Sequence, residues 1–277
     1  MVDIDFNVDR LGVGVLSINR PHVRNALNWS AMRAFAVIIE KAHAIQDLRA
    51  LIVTGVGNAF VSGGDLSELQ HYPTRSDGLR LATIMGEALK RLDALPCPTV
   101  AAINGPARGG GAEIAIACDL RTIAEDADIG FVHTHIGIIP AWGGGQRLLR
   151  VVGFARALEL ITTGRVLTGK EAVVLGVANI LTPVGNALTQ AKELCRQIAS
   201  KPPAAVMAAK RALKYGQSFP QDEALEAERA EFPALWDTDF RRAAVNSFLT
   251  KNKSAKSNYQ VKELIDEKQD QLELKSA

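Results

Sequence analysis

Three consecutive glycines followed by a carboxylate form the stretch of the chain best suited to chemistry. Gly109, Gly110 and Gly111 lie between an apolar run that ends near Asn104 and an apolar-rich segment that begins at Glu113. This pattern predicts a strand, a glycine loop and the first turn of a helix. Glycine lets the backbone approach a ligand closely, and the first N–H groups of a helix have no partner within it. We therefore predict a site that stabilises negative charge, although a tight turn between two core elements would explain any single glycine.

A second glycine corner precedes the first. Residues 51–55 predict a short buried strand, and residues 58–69 predict a glycine-bearing loop that enters a helix capped by Ser62 or Asp65. Two backbone N–H groups that converge on one oxygen form an oxyanion hole, and removing one donor costs about 2.7–4 kcal/mol of transition-state stabilisation. The two corners together favour such a hole over two unrelated turns.

Composition and charge exclude several classes of function. The chain has 277 residues with 32 Lys and Arg against 30 Asp and Glu, a net charge of +2, which creates no field that would recruit nucleic acid or a membrane surface. The N-terminus lacks a secretion signal and no apolar run reaches spanning length, so we expect a cytoplasmic protein. Cys97, Cys118 and Cys195 lack metal-ligand spacing, which predicts free thiols and no metal site.

Short strands that alternate with helices predict an α/β core to position these corners. The patterning predicts a hairpin over residues 4–8 and 12–18, a helix over 30–44 capped by Ser30, a polar loop over 71–78, a helix over 79–95 and a strand over 129–132. From residue 154 onward the chain is mostly helical. We predict a core over residues 1–200, a C-terminal helical oligomerisation region over 201–252 and a polar tail over 253–277.

Four ordered motifs resemble one known family, the crotonase or enoyl-CoA hydratase/isomerase superfamily. They are INRPHVRNALN, AFVSGGDL, AAINGPARGGGAEIAIACD and GIIPAWGGGQRL. The resemblance implies a spiral of ββα repeats whose sheets stack roughly at right angles, followed by a helical region. It also implies an acyl-CoA thioester as the partner, coenzyme A entering only as part of the substrate, no other cofactor, and a homotrimer or homohexamer.

The resemblance assigns roles to individual residues. It places the oxyanion hole at the N–H groups of Gly64 and Gly110, and Glu113 on one of the hydratase's two catalytic glutamates. It suggests a phosphate contact for Arg24, for which a solvated loop charge is an equal alternative. The remaining substrate-binding positions it indicates are Ala26, Ser62, Asp65, Gly109, Pro140, Trp142, Phe248 and Lys251.

One position departs from the hydratase pattern, because His133 stands where the hydratase has its second catalytic glutamate. Hydration needs a held water and a moved proton, which two carboxylates provide. The stretch FVHTHIGIIPAWGGGQRL is similar to the ethylmalonyl-CoA decarboxylase branch of the superfamily. Decarboxylation needs the thioester oxygen held and an apolar environment, which Trp142, Phe131 and Ile138 can supply. His135 is expected to share a strand face with His133 and to be structural.

The leading hypothesis is therefore a lyase that decarboxylates methyl- or ethylmalonyl-CoA through a thioester enolate. In it, Glu113 places the substrate or a proton and His133 attracts the substrate carboxylate. The alternatives are an enoyl-CoA hydratase/isomerase of fatty-acid or amino-acid catabolism and a non-catalytic acyl-CoA-binding protein. For the single residues, a helix-terminal charge at Glu113, a satisfied core histidine at His133 and a core aromatic at Trp142 stay open.

Overall fold

The computed structural model describes residues 3–250, and the chain divides into two compact units between Gln217 and Ser218. The strands are β1 (Ile4–Val8), β2 (Val13–Ile18), β3 (Ala50–Gly55), β4 (Thr99–Ile103), β5 (Ala107–Arg108), β6 (Leu120–Ala124), β7 (Asp128–Gly130), β8 (Val166–Thr168) and β9 (Ile180–Thr182). The helices of the first unit are α1 (Trp29–His43), α2 (Leu66–Leu69), α3 (Arg75–Asp93), α4 (Gly110–Ala117), α5 (Gly144–Val152), α6 (Phe154–Thr163), α7 (Gly169–Val174), α8 (Ala187–Ala199) and α9 (Pro203–Gly216). The α/β class predicted from the alternation is confirmed.

The first unit contains a six-stranded sheet in the order β1-β2-β3-β4-β6-β9 and a three-stranded sheet in the order β5-β7-β8. The predicted hairpin is confirmed, since β1 pairs antiparallel with β2. Every residue of β3 is buried, as expected for a parallel strand covered on both faces. Its residues alternate between two clusters: Leu51 and Val53 pack with residues of α1, α3 and α4, whereas Ile52 packs with residues of α8.

Three sequence predictions about element ends were wrong. Helix α1 is capped by Asn28, whose side chain accepts from the N–H of Ala31, and not by Ser30. Helix α3 begins at Arg75 within the predicted loop, because Thr74 and Asp77 form a reciprocal capping box there. Helix α4 begins at Gly110 rather than at Glu113, so the central glycine of the run is already the first helical residue.

The second unit has two helical segments within its described part. It contains α10 (Gln221–Trp236) and a helical segment over residues 239–250. The hydroxyl of Thr238 accepts from the N–H of Arg241 and caps that segment. The predicted domain limits at residues 200 and 252 remain predictions. No helix of the described chain is long and apolar enough to cross a membrane.

Candidate active site

The two glycine corners lie side by side. Residues Val61 and Ala107 form an isolated parallel bridge, and the N–H of Arg108 donates to the carbonyl of Val61 over 3.0 Å. A Cβ built on Gly63 would lie 3.4 Å from the backbone nitrogen of Gly110. Within residues 3–250 the N–H groups of Gly64 and Gly110 donate to no other group, and both glycines line one cavity. The arrangement leaves two unpaired donors at its wall.

Glu113 is held by the turn that leads into α5. All eight residues of α4 are buried, which fixes Glu113 with 1% of its surface exposed. Its Oε1 accepts from the N–H of Trp142 at 2.8 Å and from the N–H of Gly144 at 3.0 Å. Because Gly144 is the first residue of α5, the carboxylate also lies at the positive end of that helix. Glu113 is therefore a hydrogen-bond acceptor whose carboxylate has a fixed orientation.

His133 completes a side-chain pair with Glu113. Its Nε2 lies 3.1 Å from Oε2 of Glu113, and the residue is 8% exposed. The Nδ1 atom is buried and has no hydrogen-bond partner within the described chain. The C-terminal end of the strand predicted over 129–132 was wrong, because β7 stops at Gly130 and residues Val132–Ile136 form a 3₁₀ turn. His133 and His135 therefore do not share a strand face.

The cavity at this pair has a volume of about 230 Å³. Its lining consists of Ser62, Gly63, Gly64, Leu66, Leu69, Leu81, Gly109, Gly110, Glu113, Val132, His133, His135, Ile136, Ile138, Ile139, Ala141 and Trp142. A Cβ built on Gly110 would lie 2.1 Å from Cζ3 of Trp142, so the indole ring packs directly against this glycine. The wall is largely apolar, with Glu113, His133, His135 and Ser62 as its polar side chains.

Several residues predicted to bind substrate do not line this cavity. Arg24 is exposed, and Ala26 is buried, with its carbonyl accepting from Arg20. Asp65 pairs with Arg20 at 3.2 Å, and hydrogen bonding from Ser67 and then from Arg20 lowers the pKa of that carboxyl against the opposing effect of burial. Its side chain does not cap α2.

Pro140 and the predicted apolar neighbour Phe131 also lie outside the lining, and Phe131 is buried in the core instead. Phe248 belongs to the second unit, where it is 65% exposed. Lys251 lies outside the described residues. In contrast, the structure brings together eight of the predicted positions: Ser62, Gly64, Gly109, Gly110, Glu113, His133, Ile138 and Trp142.

Sequence reasoning missed part of the cavity wall. His135 was expected to be structural, but it lines the cavity while its Nε2 lies 3.2 Å from the carbonyl of Thr163. Leu81 reaches the cavity from α3, and only its helical spacing was available as a signal. Among residues 3–250, no three His, Cys, Asp or Glu side chains are grouped to hold a metal ion. Cys97, Cys118 and Cys195 are free and buried.

Two known proteins and one crystal structure are similar to this chain over most of its length. The chain is 35% identical over 242 residues to a short-chain-enoyl-CoA hydratase of Clostridium acetobutylicum, covering 87% of this chain and 92% of that protein. It is 34% identical over 236 residues to an ethylmalonyl-CoA decarboxylase of Rattus norvegicus, covering 84% and 79%. The crystal structure of an enoyl-CoA hydratase from Bacillus anthracis matches with a TM-score of 0.85 at 33% identity, covering 90% of this chain and 97% of that one.

A sequence model described as enoyl-CoA hydratase/isomerase matches residues 9–258. The match includes both glycine corners, the Glu113 and His133 pair and the turn before α5. The relatives named above are enzymes, and the structural similarity confirms the predicted fold. The chain therefore belongs to the enoyl-CoA hydratase/isomerase family, which is the crotonase superfamily.

Proposed function

We propose that the protein is an acyl-CoA lyase that decarboxylates a methyl- or ethylmalonyl-CoA. The observation that carries this proposal is the buried, unpartnered Nδ1 of His133, whose other ring nitrogen is bonded to Glu113. A buried polar atom without a partner costs about 1–3 kcal/mol, which a bound polar group would recover. A substrate carboxylate is such a group. The similarity to an ethylmalonyl-CoA decarboxylase supports the same class of substrate.

The proposed reaction uses the oxyanion hole throughout. The thioester oxygen accepts from the N–H groups of Gly64 and Gly110, and the bond between the α-carbon and the carboxylate breaks. Its electron pair passes into the enolate, and CO₂ leaves as a neutral molecule. Such donors act where charge develops and are therefore worth more in the transition state than in the ground state. The apolar wall at Trp142 and Ile138 leaves the departing carboxylate poorly solvated.

The pairing of Glu113 with His133 reduces the electrostatic repulsion expected between the carboxylate of Glu113 and that of the substrate. With both ring nitrogens protonated, His133 balances Glu113 through Nε2–H and donates Nδ1–H to the substrate. After CO₂ leaves, the α-carbon takes up one proton, which we assign to Nδ1 of His133. Solvent then restores that proton to the ring. Turnover in D₂O should place one deuterium in the product.

Hydration of an enoyl-CoA is the second candidate. It is supported by the hydratases among the relatives and by Glu113, which lines the cavity and in this reaction would accept a proton from water. In this reaction His133 would replace the missing carboxylate, since imidazole exchanges protons near neutral pH. The same oxyanion hole would serve both reactions.

The test is turnover of ethylmalonyl-CoA, methylmalonyl-CoA and crotonyl-CoA by the full chain, followed by mass spectrometry. We expect loss of CO₂ from a malonyl-type thioester, with crotonyl-CoA untouched. His133→Gln should abolish this loss, whereas His135→Gln, the matched control at the same cavity, should keep most of it. Hydration of crotonyl-CoA alone would replace the proposal by the second candidate. Near-full turnover by both Glu113→Gln and His133→Ala would refute the roles of both residues.

We further propose that the protein needs no metal or redox cofactor, works in the cytoplasm and assembles as a homotrimer or homohexamer. Exposed apolar side chains on α6, Phe154 and Leu158, support a protein partner for that surface. Light scattering of the full chain tests the assembly. The proposed coenzyme A contacts, at Arg24, Ala26, Phe248 and Lys251, are tested by the affinity for coenzyme A of variants at each position.

A further inference from the structure

Arg147 lies outside the active-site cavity but touches the turn that holds Glu113. Its Nη1 donates to the carbonyl of Trp142 over 3.0 Å. That carbonyl lies, along the chain, between the two N–H groups of Trp142 and Gly144 that bind Oε1 of Glu113. Arg147 therefore fixes the middle of the segment whose two ends orient the carboxylate.

Within this turn, Gly143 cannot hold the backbone in its observed shape by itself. Gly143, in its centre, has a φ of +91°, which only glycine adopts readily. A Cβ built there would lie 2.6 Å from Nη1 of Arg147, so the guanidinium packs against the bare backbone. The turn depends on an external donor, because glycine contributes no side chain to hold it.

Trp142 connects the hydrogen bond from Arg147 with the proposed oxyanion hole. Its ring packs against Gly110, which lines the cavity and whose N–H has no partner within residues 3–250. Movement of the Trp142 backbone would therefore displace two groups together, the donor to Glu113 and the ring against Gly110. One hydrogen bond from Arg147 is coupled to both parts of the site.

Within residues 3–250 the Arg147 side chain forms no other hydrogen bond and no salt bridge. Burial lowers the pKa of its guanidinium against the attraction of Asp93 and Glu113. It also lines a second cavity of about 460 Å³, whose lining includes neither Glu113 nor Trp142. The Arg147 side chain gives up part of its hydration and binds a single carbonyl in return. This indicates a structural role and not simply a surface charge.

We infer that Arg147 is a positioning residue, which holds the Trp142–Gly144 turn so that Glu113 and the Gly110 N–H keep their catalytic geometry. As far as turnover is concerned, this inference rests on the proposed thioester chemistry. The structural part, the position of Trp142, does not depend on which reaction occurs.

Arg147→Ala should lower kcat by about 10²-fold with little change in KM, since a misplacement of about 1 Å costs that much. Because the second cavity borders the vacated space, millimolar guanidinium should restore part of the activity, and equal concentrations of NaCl or urea should not. Arg147→Lys should retain more activity than Arg147→Ala. Arg150→Ala is the matched control, since Arg150 lines the same cavity from the same helix and is exposed.

A second readout is independent of activity. In protein labelled with 5-fluorotryptophan, the ¹⁹F resonance of Trp142, assigned with Trp142→Phe, should shift in Arg147→Ala, return with guanidinium and stay fixed in Arg150→Ala. If the wild type turns over no thioester, the proposed function fails while this resonance still decides the role of Arg147. An unshifted resonance, or equal losses in both alanine variants, overturns the inference. If Arg147→Ala does not fold, Arg147→Met, which keeps volume without donors, replaces it.

Discussion

The contact between Gly110 and Trp142 gives the sharpest test of the site's packing. Gly110 has no positive φ, so its backbone accepts alanine, but the new methyl would lie 2.1 Å from Cζ3 and 2.4 Å from Cη2 of Trp142. The buried ring must move, and overpacking of this kind costs about 1–3 kcal/mol. For a unit of this size 1 kcal/mol corresponds to about 2–4 °C, so Gly110→Ala should lower Tm by about 2–12 °C.

The cause of that loss can be isolated by a double-mutant cycle with Trp142→Leu. Leucine removes the clashing ring atoms, and in that background Gly110→Ala should be neutral or stabilising by up to about 1 kcal/mol, the helix preference of alanine. Denaturant and thermal unfolding at one protein concentration measure both terms, because association also changes apparent stability. An unchanged Tm in Gly110→Ala, or the same penalty in both backgrounds, would show that the reasoning from this contact is wrong.

Three further predictions concern other contacts. Gly144→Ala places a methyl 2.4 Å from Cγ of Glu113 and should lower kcat by at least tenfold, whereas Gly145→Ala, whose nearest neighbour would lie at 3.6 Å, should not. Burial raises the pKa of Cys97 from 9.0 to about 11 and those of Cys118 and Cys195 to about 12, so Ellman's reagent at pH 8 should label these thiols only after unfolding. The free energy of unfolding should accordingly fall as the pH rises from 9 toward 11, because the unfolded thiols ionise first. Asp119→Ala leaves the side chain of Lys210, bonded at 2.6 Å and 10% exposed, without its carboxylate, and chemical denaturation should show a loss of about 3 kcal/mol.

Local patterns located the residues that meet at the cavity better than they located the element ends. The glycine corners and Glu113 were visible because consecutive glycines followed by a carboxylate form a short local pattern, which can be recognised without any long-range contact. The start of α4 at Gly110 was missed, since helix propensity disfavours glycine and only burial on all sides compensates for it. The same limit applies to β5, β8 and β9, which have two or three residues each and are formed by pairing with distant strands.

The Glu113 environment was beyond sequence reasoning for a different reason. Its donors come from residues 29 and 31 positions away, and the pair with His133 spans 20 positions. The resemblance to the hydratase pattern offered His133 as a replacement for a glutamate but gave no indication that the ring binds Glu113 directly. Asp65 shows the reverse error, because its place in a helix-entry loop suggested a cap while the fold uses it to neutralise Arg20.

The complete burial of α4 has a consequence for how activity is lost on heating. The N–H of Glu113 is bonded within the core to the carbonyl of Gly109, so its hydrogen should exchange with deuterium only when the first unit opens as a whole. Helix α2, just after Gly64, has four residues and none of them is buried, so its amides should exchange through local opening. Mild heating should therefore loosen the cavity rim first and reversibly, while the central carboxylate keeps its partners until the protein unfolds.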